Sequence, residues 1–192
     1  MKPGILLHIC CAPCSLALIS YLSEHDFAVT GFFYNPNIQP WDEYKRRLET
    51  AQDYFKKNKL PLISPRVDAP GYDEAFRRAT AKDKQKPSRC QKCYELRLQK
   101  TARIAQAQGF KFFTTTLLAS PHQDINLIRS LGDQLAQDYQ IEFYYPDPGV
   151  KKFKGFRQIF SHSHELAQQE GLYRQNYCGC WASRQEAEET CL

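Results

Sequence analysis

The sequence predicts an α/β fold: a parallel sheet of about five strands with helices on both faces. Three observations lead there. Short apolar runs alternate with longer helical patterns along the chain. The 192 residues, 42% of them hydrophobic, suffice for one well-buried core, so 1–192 reads as a single domain. No internal repeat or low-complexity segment interrupts the alternation.

Gly4 to Cys10 is a short apolar run suited to a buried strand. It breaks at Cys11-Ala12-Pro13-Cys14 into a helix over Ser15 to His25, where Leu16, Ile19, Tyr21 and Leu22 share a face. Phe27 to Tyr34 is the second strand, and Asn35 to Pro40 is a loop because its two prolines and two asparagines oppose regular pairing. Trp41 to Asn58 reads as a charged helix, and Leu60 to Val67 as a third strand weakened by Pro61 and Pro65. Asp73 to Ala81 and Arg89 to Gln108 are helices around a loop at Lys82 to Ser88, the second ending at Gly109. Phe110 to Leu118 carries the strongest strand signal, being aromatic and β-branched with no charge after Lys111. Ser120-Pro121 is expected to open a helix running to Tyr139, a cap followed by proline at the first position. Ile141 to Tyr145 is the fifth strand, and helices over Phe156 to Glu170 and Ala182 to Thr190 complete the pattern.

Chemistry enters through sulfur. Cys10, Cys11 and Cys14 are answered by Cys90 and Cys93, then by Cys178 and Cys180, so seven thiols fall in three tight groups. One tetrahedral metal or one iron–sulfur cubane takes at most four protein ligands, so converging groups would hold two centres, or one centre with a redox pair. The first residues form neither a secretion h-region nor a membrane span, which predicts a cytoplasmic protein with no membrane partner. In that reducing compartment clustered cysteines point to metal binding or redox catalysis, not structural disulfides.

Sites in parallel sheets form at the carboxyl ends of strands, and the first cysteine group sits at such an end. A phosphate-binding fold would place a Gly-rich loop there. Cys10 to Ser15 contains no glycine, which disfavours an ATP-using thiolation enzyme. Cys11 and Cys14 are expected to face one way from a helix start, with Cys10 pointing elsewhere from a strand end. Cys90 and Cys93 share the i, i+3 spacing, while Cys178-Gly179-Cys180 in extended chain projects both thiols to one face. Cys191 stands alone as a terminal thiol without a role. His25, His162 and His164 fall in exposed helix contexts, His8 is a core or supporting residue, and His122 is a candidate site residue.

Charge is concentrated. Between Arg77 and Arg103 ten Lys and Arg face only Asp83 and Glu95, a window of +8 in a chain of +5. A basic stripe around a CxxC is what a phosphate backbone would meet on its way to a reactive centre; a solvated helix face is the plainer account.

Five motifs, in order and covering nearly the whole chain, resemble the cobalamin-independent epoxyqueuosine reductases. They are Leu7-His8-Ile9-Cys10-Cys11-Ala12-Pro13-Cys14, Tyr34-Asn35-Pro36-Asn37-Ile38, Arg89-Cys90-Gln91-Lys92-Cys93-Tyr94, Phe113 to Pro121, and Tyr173 to Cys180. The resemblance implies a Rossmann-like fold related to the adenine nucleotide α-hydrolase group. It implies reduction of the epoxide of epoxyqueuosine, at the wobble position of tRNA, to the alkene of queuosine, with electrons from a donor partner. It also implies a [4Fe-4S] cluster with a second, mononuclear metal ion beside it, Fe or Zn.

Within that implication Cys11, Cys14, Cys90 and Cys93 are assigned to the cluster as two CxxC-type pairs. Cys10, Cys178 and Cys180 are left for the second ion, with Cys10 and Cys11 exchangeable. Tyr34 and His122 join Cys10, Cys178 and Cys180 as catalytic candidates, although the family usually carries Tyr where His122 stands. Asn35, Asn37, Thr115, Thr116, Ser120, Tyr177 and Trp181 are candidate substrate contacts. Arg89, Lys92, Arg97, Lys151, Lys152 and Lys154 would meet tRNA phosphates. The rival from another class is a zinc-stabilised tRNA-binding module without catalysis.

Overall fold

Gly4–His8 forms β1, the centre of the sheet, because its side chains are apolar on both faces and buried on both. The structure, a computed structural model, describes residues 2–64, 71–145 and 156–190. Five strands run parallel in the order β3-β2-β1-β4-β5, with β2 at Ala28–Phe32, β3 at Leu62–Ile63, β4 at Phe112–Thr115 and β5 at Glu142–Phe143. In register, Leu7 lies opposite Gly31 on one side and Thr114 on the other. The helices are α1 Leu16–Glu24, α2 Trp41–Lys57, α3 Glu74–Ala79, α4 Ser88–Ala107, α5 Ile125–Tyr139, α6 Phe156–Gln169 and α7 Trp181–Thr190.

The period-2 alternation of β1 divides the core between two faces. Ile5, Leu7 and Ile9 pack with Leu18 and Leu22 of α1, Ala51 and Phe55 of α2 and Ile159 of α6. Leu6 points the other way, to Phe113 of β4 and to Ala102 and Ala105 of α4. Tyr94 and Leu98 of α4 then meet Leu117, Leu118 and Ile128 of α5, closing the second face near the carboxyl end of β4. Helices therefore cover both faces, as the alternation predicts.

Three expectations are corrected. The fourth strand stops at Thr115 and continues as a 3-10 turn over Thr116–Ala119, because the Thr115 hydroxyl accepts the Leu117 N–H and redirects the backbone. The following helix begins at Ile125, not at Ser120-Pro121: Asp124 is its cap, accepting the Leu127 N–H at 3.0 Å. The third strand covers Leu62–Ile63 among the described residues and not Leu60 or Pro61, its pairing with β2 covering Gly31 and Phe32; the expected stretch from Pro65 to Val67 lies outside the described residues. No helix among the described residues is long and apolar enough to cross a membrane.

Gly132 sits where α5 crosses β5, and a Cβ there would lie 2.6 Å from Cγ of the Phe143 ring. Ala is the better helix former by about 1 kcal/mol in open surroundings. At this contact Gly132→Ala is expected instead to destabilise by about 1–3 kcal/mol through overpacking, read as a lower urea midpoint with an unchanged slope.

Candidate metal centre

The strand order reverses between β1 and β4, so the crevice at their carboxyl ends is the topological switch point. The thiols of Cys10, Cys11 and Cys14 gather there, all within 4.8 Å of one another. Cys11 Sγ is 2.9 Å from Cys14 Sγ and 3.7 Å from Cys10 Sγ. The expectation that Cys10 points away is overturned. β1 ends at His8 and its last ladder bond comes from the Ile9 N–H to Phe32 O, so the turn, not strand alternation, aims Cys10. The Thr116 hydroxyl donates to Cys10 Sγ and accepts the Cys10 N–H at 3.1 Å.

These contacts unbalance the three thiols. Cys10 is held well below the usual thiol range, first by hydrogen bonds with Cys11 and Cys14, then with help from the Arg97 charge and Thr116. Cys11 is pushed up by burial and by Cys10, and Cys14 by its contacts with Cys10 and Cys11. Of the three, Cys10 is the thiol that gives up its proton most readily.

The other four thiols are less tightly gathered, and among the described residues no three of them lie at ligand spacing. Cys90 and Cys93 lie at the start of α4, and Cys93 shares a small apolar cluster with Phe76 and Cys180. Burial raises the pKa of Cys93; Arg97 opposes this, while Cys180 and Cys90 add to it. Cys178 is the exposed member of the seven, all of which are free thiols.

Its loop is tied down by long-range bonds. Arg47 of α2, only 1% exposed, donates to Cys178 O at 3.1 Å, to Tyr177 O at 3.2 Å and to Glu43 at 2.6 Å. Gln39 N–H donates to Gly179 O at 2.8 Å, and Gly179 N–H to Ser183 Oγ at 3.1 Å. Gly179 has φ 141, and a Cβ would stand 3.0 Å from both Asn37 and Ile38, so glycine is required on both counts.

The predicted site residues divide. Thr116 reaches sulfur, and Thr115 lies 2.8 Å from His8 Nδ1, which makes it a support for the strand ends. Asn35 bonds Ile9 O at 2.9 Å, and Asn37 Oδ1 is buried with no hydrogen-bond partner among the described residues. The Tyr34 ring packs at 6.0 Å on Phe32 and its carbonyl faces His8, while His122 is exposed with its ring edge toward Phe160; neither contacts a thiol. Gln123 does instead, its Nε2 being 3.8 Å from Cys178 Sγ, and Gln175 Nε2 donates to Cys11 Sγ at 2.9 Å. Gln175 falls within a quoted motif, whereas nothing in the sequence marks Gln123.

Two phosphate contacts are corrected. Arg97 is 1% exposed and lies inside the site, while Arg89 is 6% exposed and donates to Lys84 O and Glu186. Lys92 remains at the surface, paired with Glu95. Lys151, Lys152 and Lys154 fall outside the described residues, as does Cys191. The stripe is also less bare than its sequence, since Arg77 and Arg78 meet Asp73 and Glu74, and Lys86 meets Glu186.

Comparison with known proteins agrees with this geometry. Among solved structures the chain is similar to the U34-tRNA thiolase NcsA from Methanococcus maripaludis with its [4Fe-4S] cluster. The TM-score is 0.60 at 14% identity, covering 98% of this chain and 65% of that one. A predicted tRNA methyltransferase subunit from Methanocaldococcus jannaschii gives a TM-score of 0.53 at 12% identity, covering 88% and 89%. These likenesses show the fold, and with the crevice they define the class: a five-stranded parallel α/β protein with three thiols at its switch point, spaced as metal ligands would be.

The model of the epoxyqueuosine reductase QueH family matches residues 5–186. Relatives of that name include those of Thermotoga maritima, 35% identical over 96% of this chain and 92% of the relative, and Dehalococcoides mccartyi, 34% identical over 97% and 95%. The chain belongs to the epoxyqueuosine reductase QueH family, and it is an oxidoreductase.

Limiting iodoacetamide at pH 7 on the metal-free protein is expected to alkylate Cys10 before Cys11 and Cys14, read by peptide mass spectrometry; equal labelling of the three would contradict this order of acidity. Arg47→Met leaves the Tyr177 and Cys178 carbonyls without this donor and Glu43 without its counter-charge, held then by the Tyr173 hydroxyl alone. It should cost about 3 kcal/mol in a denaturant melt and speed proteolysis near Cys178.

Proposed function

We propose that this chain reduces epoxyqueuosine in tRNA to queuosine, removing the epoxide oxygen and leaving a carbon–carbon double bond. The observation that carries the reading is the convergence of Cys10, Cys11 and Cys14 at the switch point of a chain of this family. Loss of the oxygen as water consumes two electrons and two protons, so the reaction needs an electron source and groups that place the departing oxygen.

The donor set fits a sulfur-ligated centre, being seven free thiols with three sulfurs at ligand spacing. A [4Fe-4S] cluster supplies single electrons from an external donor, and a second metal ion, Fe or Zn, supplies a Lewis acid. The convergence of Cys10 with Cys11 and Cys14 supports these three as ligands of one centre, which leaves Cys90, Cys93, Cys178 and Cys180 as donors for the other. The NcsA likeness, a tRNA-acting protein with a cluster on the same fold, is in keeping with tRNA as the substrate.

Around the sulfurs the chain supplies hydrogen-bonding groups. Gln175 and Gln123 present amide N–H donors beside Cys11 and Cys178. Asn37 Oδ1 offers a buried acceptor next to Gly179, suited to a hydroxyl of the modified base. Trp181, 53% exposed and directly after Cys180, gives an apolar ring on which a splayed base can stack, with Arg184 over its face at 5.4 Å. Lys92 and the outer cations of the stripe attract the phosphates. On this reading the enzyme works in the cytoplasm, with tRNA.

The test is anaerobic turnover of epoxyqueuosine-bearing tRNA with a strong reductant, nucleosides being read by mass spectrometry. Wild-type protein is expected to lose one oxygen from the nucleoside and Cys10→Ser to lose turnover. Colourless protein that binds zinc and tRNA but leaves the epoxide intact would establish the binding-module alternative.

A further inference from the structure

Arg97 is the most deeply buried cation without a carboxylate in the described structure. Its side chain is 1% exposed, and no Asp or Glu oxygen lies within ion-pairing distance of it among the described residues. A guanidinium stays charged in a protein, so the charge is present and has been taken out of water. An isolated buried charge is costly enough that folds supply a counter-charge.

The polar groups that touch it are neutral or sulfur. Nη2 donates to Asn35 Oδ1 at 2.8 Å, an amide where a carboxylate of the same size would fit. Nε lies 3.4 Å from Nε2 of the fully buried His8. Nη1 faces Cys93 Sγ at 3.8 Å.

We infer that Arg97 is a positioning residue whose fixed positive charge is the counter-ion of the metal-bound thiolates, raising the reduction potential of the centre they hold. The inference rests on the sulfur-ligated reading of the site given above. A ligated centre carries the negative charge of its thiolates, and one more electron adds to it. A nearby cation in a low-dielectric interior therefore favours the reduced state, and the more so because no carboxylate neutralises it first. Asn35 holds the guanidinium in place without cancelling it, and the buried His8 ring fills the space beside it.

The test measures the midpoint potential of the reconstituted holoprotein by an EPR-monitored redox titration, with iron content and far-UV circular dichroism recorded for each protein. Arg97→Gln removes the charge, Arg97→Lys keeps it, and Asn35→Asp leaves Arg97 in place but sets a carboxylate beside it. The Gln and Asp variants are expected to shift the reduction equilibrium at least tenfold toward the oxidised centre, about 59 mV more negative for one electron. The Lys variant should stay within threefold of the parent. A packing role would lower stability in Arg97→Lys as in Arg97→Gln and leave the potential of both unchanged. That result overturns the inference, as does an unchanged potential in Asn35→Asp, which also decides the matter where Arg97→Gln retains no iron. A parent protein that binds no iron overturns the sulfur-ligated reading itself, a failure distinguishable from the first.

Discussion

The architecture turns on the burial of two guanidinium groups at the carboxyl end of the sheet. Arg47 from α2 and Arg97 from α4 are each 1% exposed, and each joins segments far apart in sequence. Arg47, balanced by Glu43, grips the carbonyls of Tyr177 and Cys178, so the last thiol loop is fixed against α2. Arg97 reaches from α4 to the loop after β2 and to the end of β1. Take both away and the cysteine groups would still exist, but their three carriers would be held together by fewer and more exposed polar ties. Hydrophobic packing sets the layers of this fold; buried charge sets the relation between its strand ends.

The strand ends themselves are polar in an otherwise apolar sheet. His8, Thr115 and Asn35 are all at most 1% exposed and bond to one another or to the backbone of adjacent strands. Such a network is tolerable only when satisfied, because each unpaired group would carry a desolvation cost of about 1–3 kcal/mol. Asn37 Oδ1 and Gln175 Oε1 break this rule beside the thiols, where a substrate would arrive.

Much of the fold could be read from the chain because its signals are local. Alternation of apolar runs and helices gives the five strands and their neighbours, and Gly109, with φ 74, ends α4 where expected. Boundaries failed where one side chain redirects the backbone, as at Thr115 and Asp124. The three sulfur groups were visible as types at tight spacing, but their grouping was not, since Cys10 lies past the last ladder bond and spacing rules no longer govern its direction. Arg89 and Arg97 look like surface cations among their sequence neighbours. Their partners, Glu186 for one and Asn35 and Cys93 for the other, include residues from distant segments that only the folded chain brings close.

The distribution of the thiols along the chain also governs when the site can exist. Cys10, Cys11 and Cys14 leave the ribosome first, yet the crevice they line needs β4 at Phe112–Thr115, and the loop opposite needs Cys178 and Cys180. During translation the early thiols are therefore uncovered and unligated for nearly the whole of synthesis. A metal held as proposed would therefore be loaded at release or in the last stage of elongation.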